Sequence, residues 1–265
     1  MQTLTISLIQ SDISWENKDL NLQHFTEVIA GLPAMSQVVL LPETFSTGFS
    51  MRPELWAETM EGATLHWLRD TAARFRKIIT GSIIIEEDGK YYNRLIWMQP
   101  DGTHYHYDKR HLFAYGGEQE YFSAGERRMI VQVNGWKICP LICYDLRFPV
   151  WARQKPLADK DENDWYDILI YVANWPQRRS VPWKTLLQAR AIENQCYVLG
   201  VNRIGNDGNG MYHSGDSSLI DPVGNIIWQE SDKAAVYTHT FHKEELIQTR
   251  KQFPFLKDAD SFVLL

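Results

Sequence analysis

Three residue types that could cooperate in nucleophilic catalysis follow apolar runs of the kind found in buried strands. Cys143 follows the apolar run 138–142, and the segment 144–148 after it is typical of the start of a helix. A thiol at the tip of a strand can be partly exposed, with backbone N–H groups of the next turn pointing at the atom that it attacks. A free cysteine in an apolar run is more often an inert core residue, so Cys143 alone does not decide between the two.

Glu43 and Lys109 occupy comparable places in the chain. Glu43 follows the apolar run 37–41 and Pro42, and Lys109 follows the strand-like run 103–107 through Asp108. The carboxyl ends of strands are where α/β sheets bind ligands. A carboxylate in a dry pocket can take a thiol proton, and an ammonium group beside it favours the thiolate and can stabilise an oxyanion. Alternatively, Glu43 and Lys109 could each be a solvated residue at the end of a strand, because spacing alone does not establish that the three side chains meet.

Composition sets wider limits on the class of protein. A chain of 265 residues with 44% hydrophobic content can bury a large core, and we expect one α/β domain over residues 1–265. We see no apolar run long enough for a membrane span and no basic-then-apolar signal peptide at the N-terminus. The three cysteines form no CxxC pair, which argues against a disulfide framework or structural zinc and fits a reducing compartment. We therefore expect a soluble, cytoplasmic protein.

Charge and histidine spacing bear on possible partners. The net charge is −6 and no basic stripe occurs, so we expect no nucleic-acid partner. His104 and His106 would share one face of a strand, with His111 nearby. They lack a matched further ligand, and we expect no metal site.

Hydrophobic periodicity predicts alternating strands and helices along the whole chain. Strands are predicted at 3–10, 37–41, 78–86, 91–99, 103–107, 129–133, 138–142, 167–172, 196–202, 217–221, 226–228 and 235–241. Helices are predicted at 17–32, 64–77 and 182–195, with a short one near the C-terminus. Asp88-Gly89, Asp101-Gly102 and Asn134-Gly135 are hairpin signals. The segment 109–125 is predicted to be a long functional loop, and 155–165 a polar, solvated insertion.

Three segments of the chain resemble the signature segments of the nitrilase, or carbon–nitrogen hydrolase, superfamily. They are PETFSTGFS around Glu43, YDKRHLF around Lys109 and ICYDLRFP around Cys143. The resemblance implies a four-layer α-β-β-α sandwich, a Glu43-Lys109-Cys143 triad and self-association, typically as a homodimer. The additional glutamate of the family corresponds best to Glu118, with Glu120 as the alternative.

Further residues resemble one branch of that superfamily. True nitrilases usually have Cys-Trp-Glu, whereas Cys143-Tyr144-Asp145 is similar to the amidase branches. Together with CYDLRFPVWAR, YVANWP and ARAIENQ, it resembles the omega-amidase branch, although Thr44 stands where that branch often has methionine. The branch hydrolyses the terminal amide of 2-oxo acid amides such as 2-oxoglutaramate and 2-oxosuccinamate. The resemblance implies a small amide substrate and no metal or organic cofactor.

The resemblance also suggests how a substrate would be held. Lys109 and the backbone N–H of Tyr144 would stabilise the oxyanion, and Asn174 and Trp175 would shape the pocket wall. A carboxylate opposite the scissile amide needs a fixed cation or several donors. Arg178 is our leading candidate for that cation, ahead of two weaker candidates, Arg147 and Arg203.

Two alternatives to an omega-amidase stay open. The chain could be a nitrilase or an N-carbamoyl amidase on the same scaffold. It could also be a binding protein that keeps the fold without catalysis. If it does dimerise, we expect the interface to come from the segment after Cys143 and from the region 190–194.

Overall fold

The structure is a computed structural model that describes residues 2–154, 165–260 and 262. Its strands are β1 (Thr3–Gln10), β2 (Val38–Leu40), β3 (Ile78–Glu87), β4 (Lys90–Met98), β5 (His104–Asp108), β6 (Val131–Val133), β7 (Trp136–Ile142), β8 (Ile168–Ala173), β9 (Tyr197–Asn202), β10 (Ile204–Asn206), β11 (Tyr212–Ile220), β12 (Ile226–Ser231) and β13 (Ala235–His242). Its helices are α1 (Lys18–Ala30), α2 (Pro53–Trp56), α3 (Ala63–Phe75), α4 (Glu118–Tyr121), α5 (Pro149–Ala152), α6 (Ser180–Asn194) and α7 (Lys243–Gln252). Short 3₁₀ turns cover Ala114–Gly116, Cys143–Arg147, Gln177–Arg179 and Phe255–Asp258.

Local chemistry explains where several of these elements begin and end. The side chain of Asn17 accepts a hydrogen bond from the backbone N–H of Leu20 at 3.2 Å and so caps α1. Asp88 and Gly89 have φ values of 52° and 71°, as a two-residue turn between antiparallel strands requires, and they join β3 to β4. Asn134-Gly135 joins β6 to β7 in the same way. These two predicted hairpins are confirmed.

The strands form two sheets. The first has the order β13-β1-β2-β3-β4-β5, with β1, β2 and β3 parallel. The second has the order β10-β11-β9-β8-β7-β6, with β7, β8 and β9 parallel and β12 paired to β11. Each sheet therefore has a parallel centre with antiparallel strands on both sides of it.

Alternation along β2 shows how the layers stack. Val38 and Leu40 belong to a large buried cluster that also contains residues of β7 and β8, so this face of the first sheet packs on the second sheet. Val39 lies in a separate buried cluster with Phe25 of α1 and Leu68 of α3, which cover the other face. The first sheet is thus buried on both faces, as its apolar sequence predicts.

Helix α6 covers the outer face of the second sheet. Its Trp183 and Leu187 lie against Gly200 of β9, where an added Cβ would come within 2.8 Å and 2.6 Å of their side chains. A glycine at this position lets the helix approach the sheet closely. The resulting order of layers is helix, sheet, sheet, helix, and the predicted four-layer α-β-β-α sandwich is confirmed.

The structure differs from the sequence predictions in a few places. The helix expected after Cys143 is a 3₁₀ turn, because Pro149 keeps Phe148 outside the helical region (φ −114°, ψ 85°) and a new helix begins at the proline. The expected loop 109–125 contains α4, and α2 was not predicted at all. Most of the predicted insertion 155–165 lies outside the described residues, and a single domain over 1–265 stays a prediction. None of the helices in the described ranges is long and apolar enough to cross a bilayer.

Candidate active site

Glu43, Lys109 and Cys143 line one cavity at the carboxyl ends of their strands. Glu43 follows β2, Lys109 follows β5, and Cys143 is the first residue after β7. The cavity encloses about 740 Å³ including its open mouth. Residues from both sheets contribute, so the cavity lies where the two sheets face each other. The structure therefore places the three side chains in one cavity, which their spacing in the sequence could not establish.

Three N–H donors fix the Glu43 carboxylate. Its Oε1 accepts from Lys109 Nζ at 2.9 Å and from Asn93 Nδ2 at 2.8 Å, and its Oε2 accepts from the backbone N–H of Asn174 at 2.7 Å. The next residue, Thr44, has the left-handed φ of 42°. Backbone strain of this kind costs on the order of 1–3 kcal/mol and persists only where surrounding contacts impose it. The Glu43 side chain is thus held in one position by elements of both sheets.

Glu118 lies on the other side of the Lys109 ammonium group. Its two carboxylate oxygens are 3.0 Å and 2.9 Å from Lys109 Nζ, and it also accepts from the backbone N–H of Phe113 at 2.5 Å. Glu118 is fully buried whereas Glu120 is exposed, so Glu118 is the glutamate that reaches the site. Burial raises the pKa of Glu118, with Lys109 opposing the rise and the Glu43 charge adding to it.

Lys109 is a permanently charged group in this setting. Burial alone would lower its pKa, but the carboxylates of Glu118 and Glu43 outweigh that effect and raise the pKa above its ordinary value. The ammonium group also lies 4.8 Å from the centre of the Phe49 ring. A fixed, desolvated cation therefore stands beside the thiol.

Cys143 is the first residue of the 3₁₀ turn that directly follows β7, and its backbone is strained. Its φ of 41° is in the left-handed region, which non-glycine residues rarely adopt. Burial raises the pKa of the Cys143 thiol well above its usual range; the Glu43 carboxylate adds to this rise, and Lys109 opposes it. At neutral pH the resting group is a thiol, so a nearby base must take its proton before it can attack a carbon.

Asp145 connects the turn that carries Cys143 to the segment that carries Lys109. It is completely buried. Its Oδ2 accepts from Tyr107 OH at 2.7 Å and from the backbone N–H of Ile142 at 3.1 Å. Its Oδ1 accepts from the backbone N–H and the ring Nδ1 of His111, at 3.0 Å and 2.8 Å. Residues on both sides of Lys109, and the residue just before Cys143, are therefore tied to one carboxylate.

Two of the predicted wall residues line the cavity as expected, and they also brace the site. Asn174 Nδ2 donates to the backbone carbonyl of Glu43 at 2.5 Å and to Thr44 Oγ1 at 3.1 Å. Trp175 donates through Nε1 to the backbone carbonyl of Arg179 at 2.6 Å. Tyr144 also lines the cavity, half-buried, with its ring edge-on to Phe113 at 5.1 Å.

The arginine expected to read the substrate carboxylate is placed differently. Arg178 is exposed and does not line the catalytic cavity, whereas its neighbour Arg179 and Arg147 are half-buried and do. The cause is the 3₁₀ turn Gln177–Arg179, in which successive side chains point about 120° apart. Arg203 is buried outside the cavity lining, where its Nη2 lies 2.6 Å from Asp12 Oδ1.

Sequence reasoning missed several residues of the site. Asn93 is buried inside β4 and donates to Glu43, yet no pattern around it signals a polar contact with a residue fifty positions away. His213 and Met211, from the hairpin of β10 and β11, also line the cavity. Among the described residues no group of three or more His, Cys, Asp or Glu side chains could hold a metal ion.

Comparisons with known proteins show which family the chain is similar to. The model of the carbon–nitrogen hydrolase family matches residues 5–251. The chain is 42% identical to an omega-amidase, YafV, of Yersinia enterocolitica, over all of both chains. It is 32% identical to a 2-oxoglutaramate amidase of Bacillus subtilis, over 96% of each chain. A crystal structure of a CN-hydrolase superfamily protein from Xanthomonas campestris, with an arsenic adduct in its active site, is 42% identical and superposes with a TM-score of 0.96 over all of both chains.

Proposed function

The chain belongs to the carbon–nitrogen hydrolase family, and on that basis we propose that it is an omega-amidase. It is a hydrolase of carbon–nitrogen bonds. The proposed reaction removes the terminal amide of small 2-oxo acid amides, such as 2-oxoglutaramate and 2-oxosuccinamate, as ammonia. The observation that carries the proposal is one cavity that holds Glu43, Lys109 and Cys143 at its base and two half-buried arginines in its wall.

In the proposed first half of the reaction, Cys143 is the nucleophile and Glu43 the base. Glu43 takes the Cys143 proton, and the sulfur forms a bond to the amide carbon. Charge develops on the amide oxygen, where Lys109 and the backbone N–H of Tyr144 would stabilise it. The carbon–nitrogen bond then breaks, and Glu43 returns the proton to the departing ammonia, leaving a thioester on Cys143.

The second half reuses the same carboxylate. Glu43 takes a proton from a water molecule that attacks the thioester carbon, and the Cys143 sulfur leaves with the proton restored. Hydrogen bonds from Asn93 and the Asn174 backbone hold Glu43 in place for both halves. Glu118 holds the Lys109 ammonium through two oxygens and keeps it aimed at the reacting carbonyl.

Arg147 and Arg179 are the best-supported readers of the substrate carboxylate, and they replace Arg178 in this role. Arg147 lies 4.8 Å from the Trp175 ring and Arg179 lies 5.0 Å from the Phe113 ring, so aromatic surfaces fix both guanidinium groups. The ion pairs found in the described part of the chain include neither of them, which leaves their N–H donors available for a bound carboxylate.

Ammonia release from a panel of substrates tests the proposed function. We expect 2-oxoglutaramate to have a higher kcat/KM than a nitrile, an N-carbamoyl amino acid or a short neutral amide. If a nitrile or an N-carbamoyl amino acid is the preferred substrate, the chain has another activity of the family and is not an omega-amidase. Absence of ammonia from every substrate would favour a non-catalytic binding protein.

We also propose that the protein forms a homodimer and that it is located in the cytoplasm. The aromatics Trp151, Trp175 and Trp183 are buried inside the subunit and do not mark an interface. The two predicted segments do expose apolar side chains, namely Val150 on α5 and Ile192 on α6. A monomer mass by light scattering at micromolar concentration would end the dimer proposal.

A further inference from the structure

A second depression adjoins the mouth of the catalytic cavity. We call it the outer anion site; it is lined by Phe113, Tyr115, Tyr144, Arg147, Arg178 and Arg179. Four of these residues also line the catalytic cavity, and the depression adds the exposed Arg178 and Tyr115. A molecule that enters the cavity from this side therefore passes three arginines.

The charges of the outer anion site are not balanced locally. Its lining contains no Asp or Glu, and none of the ion pairs within residues 2–154 and 165–260 involves Arg147, Arg178 or Arg179. Burial lowers the pKa of Arg179, and the charge of Arg178 lowers it further. Like charges held together without a counterion repel each other, and a bound anion relieves that repulsion.

The rest of the protein makes this local charge more consequential. With a net charge of −6, the molecule as a whole repels small anions. A positive spot at the mouth of a cleft concentrates anions there and raises their rate of association. Aromatic rings of Phe113 and Tyr144 form the wall beside the arginines and offer apolar surface to the carbon chain of a small acid.

We propose that the outer anion site captures small organic carboxylates through Arg178, together with Arg147 and Arg179, and passes them to the catalytic cavity. The inference rests on the proposed function for its carboxylate substrate. It assigns Arg178 to capture from solvent, a separate role from fixing the carboxylate during the reaction. The carboxylate product, which carries one more negative charge than the amide substrate, binds the same site on its way out.

Salt dependence distinguishes this role from a structural one. The ratio of kcat/KM for 2-oxoglutaramate to that for a short neutral amide is measured from about 20 mM to about 300 mM NaCl, a range over which the screening length falls from above 20 Å to below 8 Å. In the wild type this ratio should rise at least about fivefold as salt is lowered. In Arg178→Gln the rise should shrink to less than about twofold, and in Arg178→Lys, which keeps the charge, most of it should return.

Arg74→Gln is the matched control. Arg74 is an exposed arginine on α3 that lines neither cavity, and its substitution changes the net charge by the same amount as Arg178→Gln. Its salt dependence should equal that of the wild type. Equal salt dependence in Arg178→Gln and Arg74→Gln would overturn the inference.

A binding measurement separates failure of this inference from failure of the proposed function. Calorimetry with 2-oxoglutarate and the Cys143→Ala protein needs no turnover. We expect Arg178→Gln in that background to weaken binding at low salt at least about fivefold more than Arg74→Gln does, within the range of charged hydrogen bonds. Equal binding by the two variants would overturn the outer anion site even if the substrate panel confirms the amidase. Weaker binding by Arg178→Gln than by Arg74→Gln would support the site even if the preferred substrate proves to be the amide of another carboxylic acid.

Discussion

Asp145 accepts two hydrogen bonds from His111, one from its backbone N–H at 3.0 Å and one from its ring Nδ1 at 2.8 Å. Asp145 is two residues past Cys143, and His111 is two residues past Lys109. The His111 ring also stacks on Phe148 with ring centres 3.8 Å apart. These contacts tie the turn that carries Cys143 to the segment that carries Lys109, the two residues for which we propose the roles of nucleophile and oxyanion-stabilising cation.

Asp145→Asn should therefore impair the reaction without changing a group that touches the substrate. The amide group brings N–H donors toward donors of the protein, and at least one of the four bonds to Asp145 is lost. A misplacement of about 1 Å can cost on the order of a hundredfold, and we expect kcat to fall about 10- to 100-fold while KM changes less than about threefold. Steady-state kinetics well below the unfolding midpoint measures this. A variant whose activity falls only in proportion to its unfolded fraction would show that Asp145 is structural alone.

Glu43 and Lys109 should behave as one unit with Cys143. Glu43→Gln and Lys109→Met should each lower kcat on the order of a thousandfold or more, because one removes the base and the other a fixed cation at the oxyanion. The double variant should lose little more than either single variant, as in other coupled catalytic sets. Single-turnover ammonia release measures all three. A loss below about tenfold for either single variant is incompatible with the proposed roles.

Arg147 and Arg179 should discriminate between charged and neutral amides. Arg147→Met and Arg179→Met should each weaken kcat/KM for 2-oxoglutaramate by about 1–3 kcal/mol, the range for a lost charged hydrogen bond. The loss for a short neutral amide should be much smaller, since it has no carboxylate to bind. Paired kinetics on the two substrates gives the comparison. Equal losses on both would mean that the arginines maintain the pocket and do not read the charge.

The pattern of the sequence predicts most of the fold and only part of the site. Apolar runs such as Val38–Leu40 identify buried strands, and the ends of such strands mark Glu43 and Cys143 as candidates, because α/β sheets bind ligands at the carboxyl ends of their strands. That the two residues meet depends on how the two sheets pack, which the pattern does not give. The choice between Arg178 and Arg179 could not be made in this way, since it depends on the rotation of one 3₁₀ turn. Asn93 likewise gives no signal, because its partner Glu43 is brought to it only by the pairing of β2, β3 and β4.

His213 should make the stability of the protein depend on pH. The ring is buried in the cavity wall and donates from Nδ1 to the backbone carbonyl of Met211 at 3.0 Å. Burial lowers the pKa of His213 to about 4, and the charge of Arg203 adds to the effect. In the unfolded chain the ring titrates near its ordinary pKa of about 6.5. Between these values only the unfolded state binds the proton, so the contribution of His213 is complete above pH 6.5 and is lost as the pH falls toward 4.

Urea unfolding of the wild type and of His213→Asn at several pH values measures this contribution. The wild type should lose about 2 kcal/mol more than the variant between pH 7.5 and pH 5, from about 1.4 kcal/mol per pH unit below 6.5. Asparagine can keep a donor to the Met211 carbonyl but does not titrate. Parallel pH dependence of the two proteins would mean that the folded protein binds the His213 proton over the same pH range as the unfolded chain, so that burial does not lower the pKa of His213.

The central claim is that Cys143 forms a covalent acyl intermediate with the amide substrate, and mass spectrometry of acid-quenched enzyme tests it most directly. Wild-type enzyme mixed with 2-oxoglutaramate and quenched during turnover should carry an acyl group on the peptide that contains Cys143. Cys143→Ala should keep the fold by circular dichroism, show no adduct and release no ammonia above background. Turnover that survives in Cys143→Ala, or an acyl group on another residue, would contradict the account.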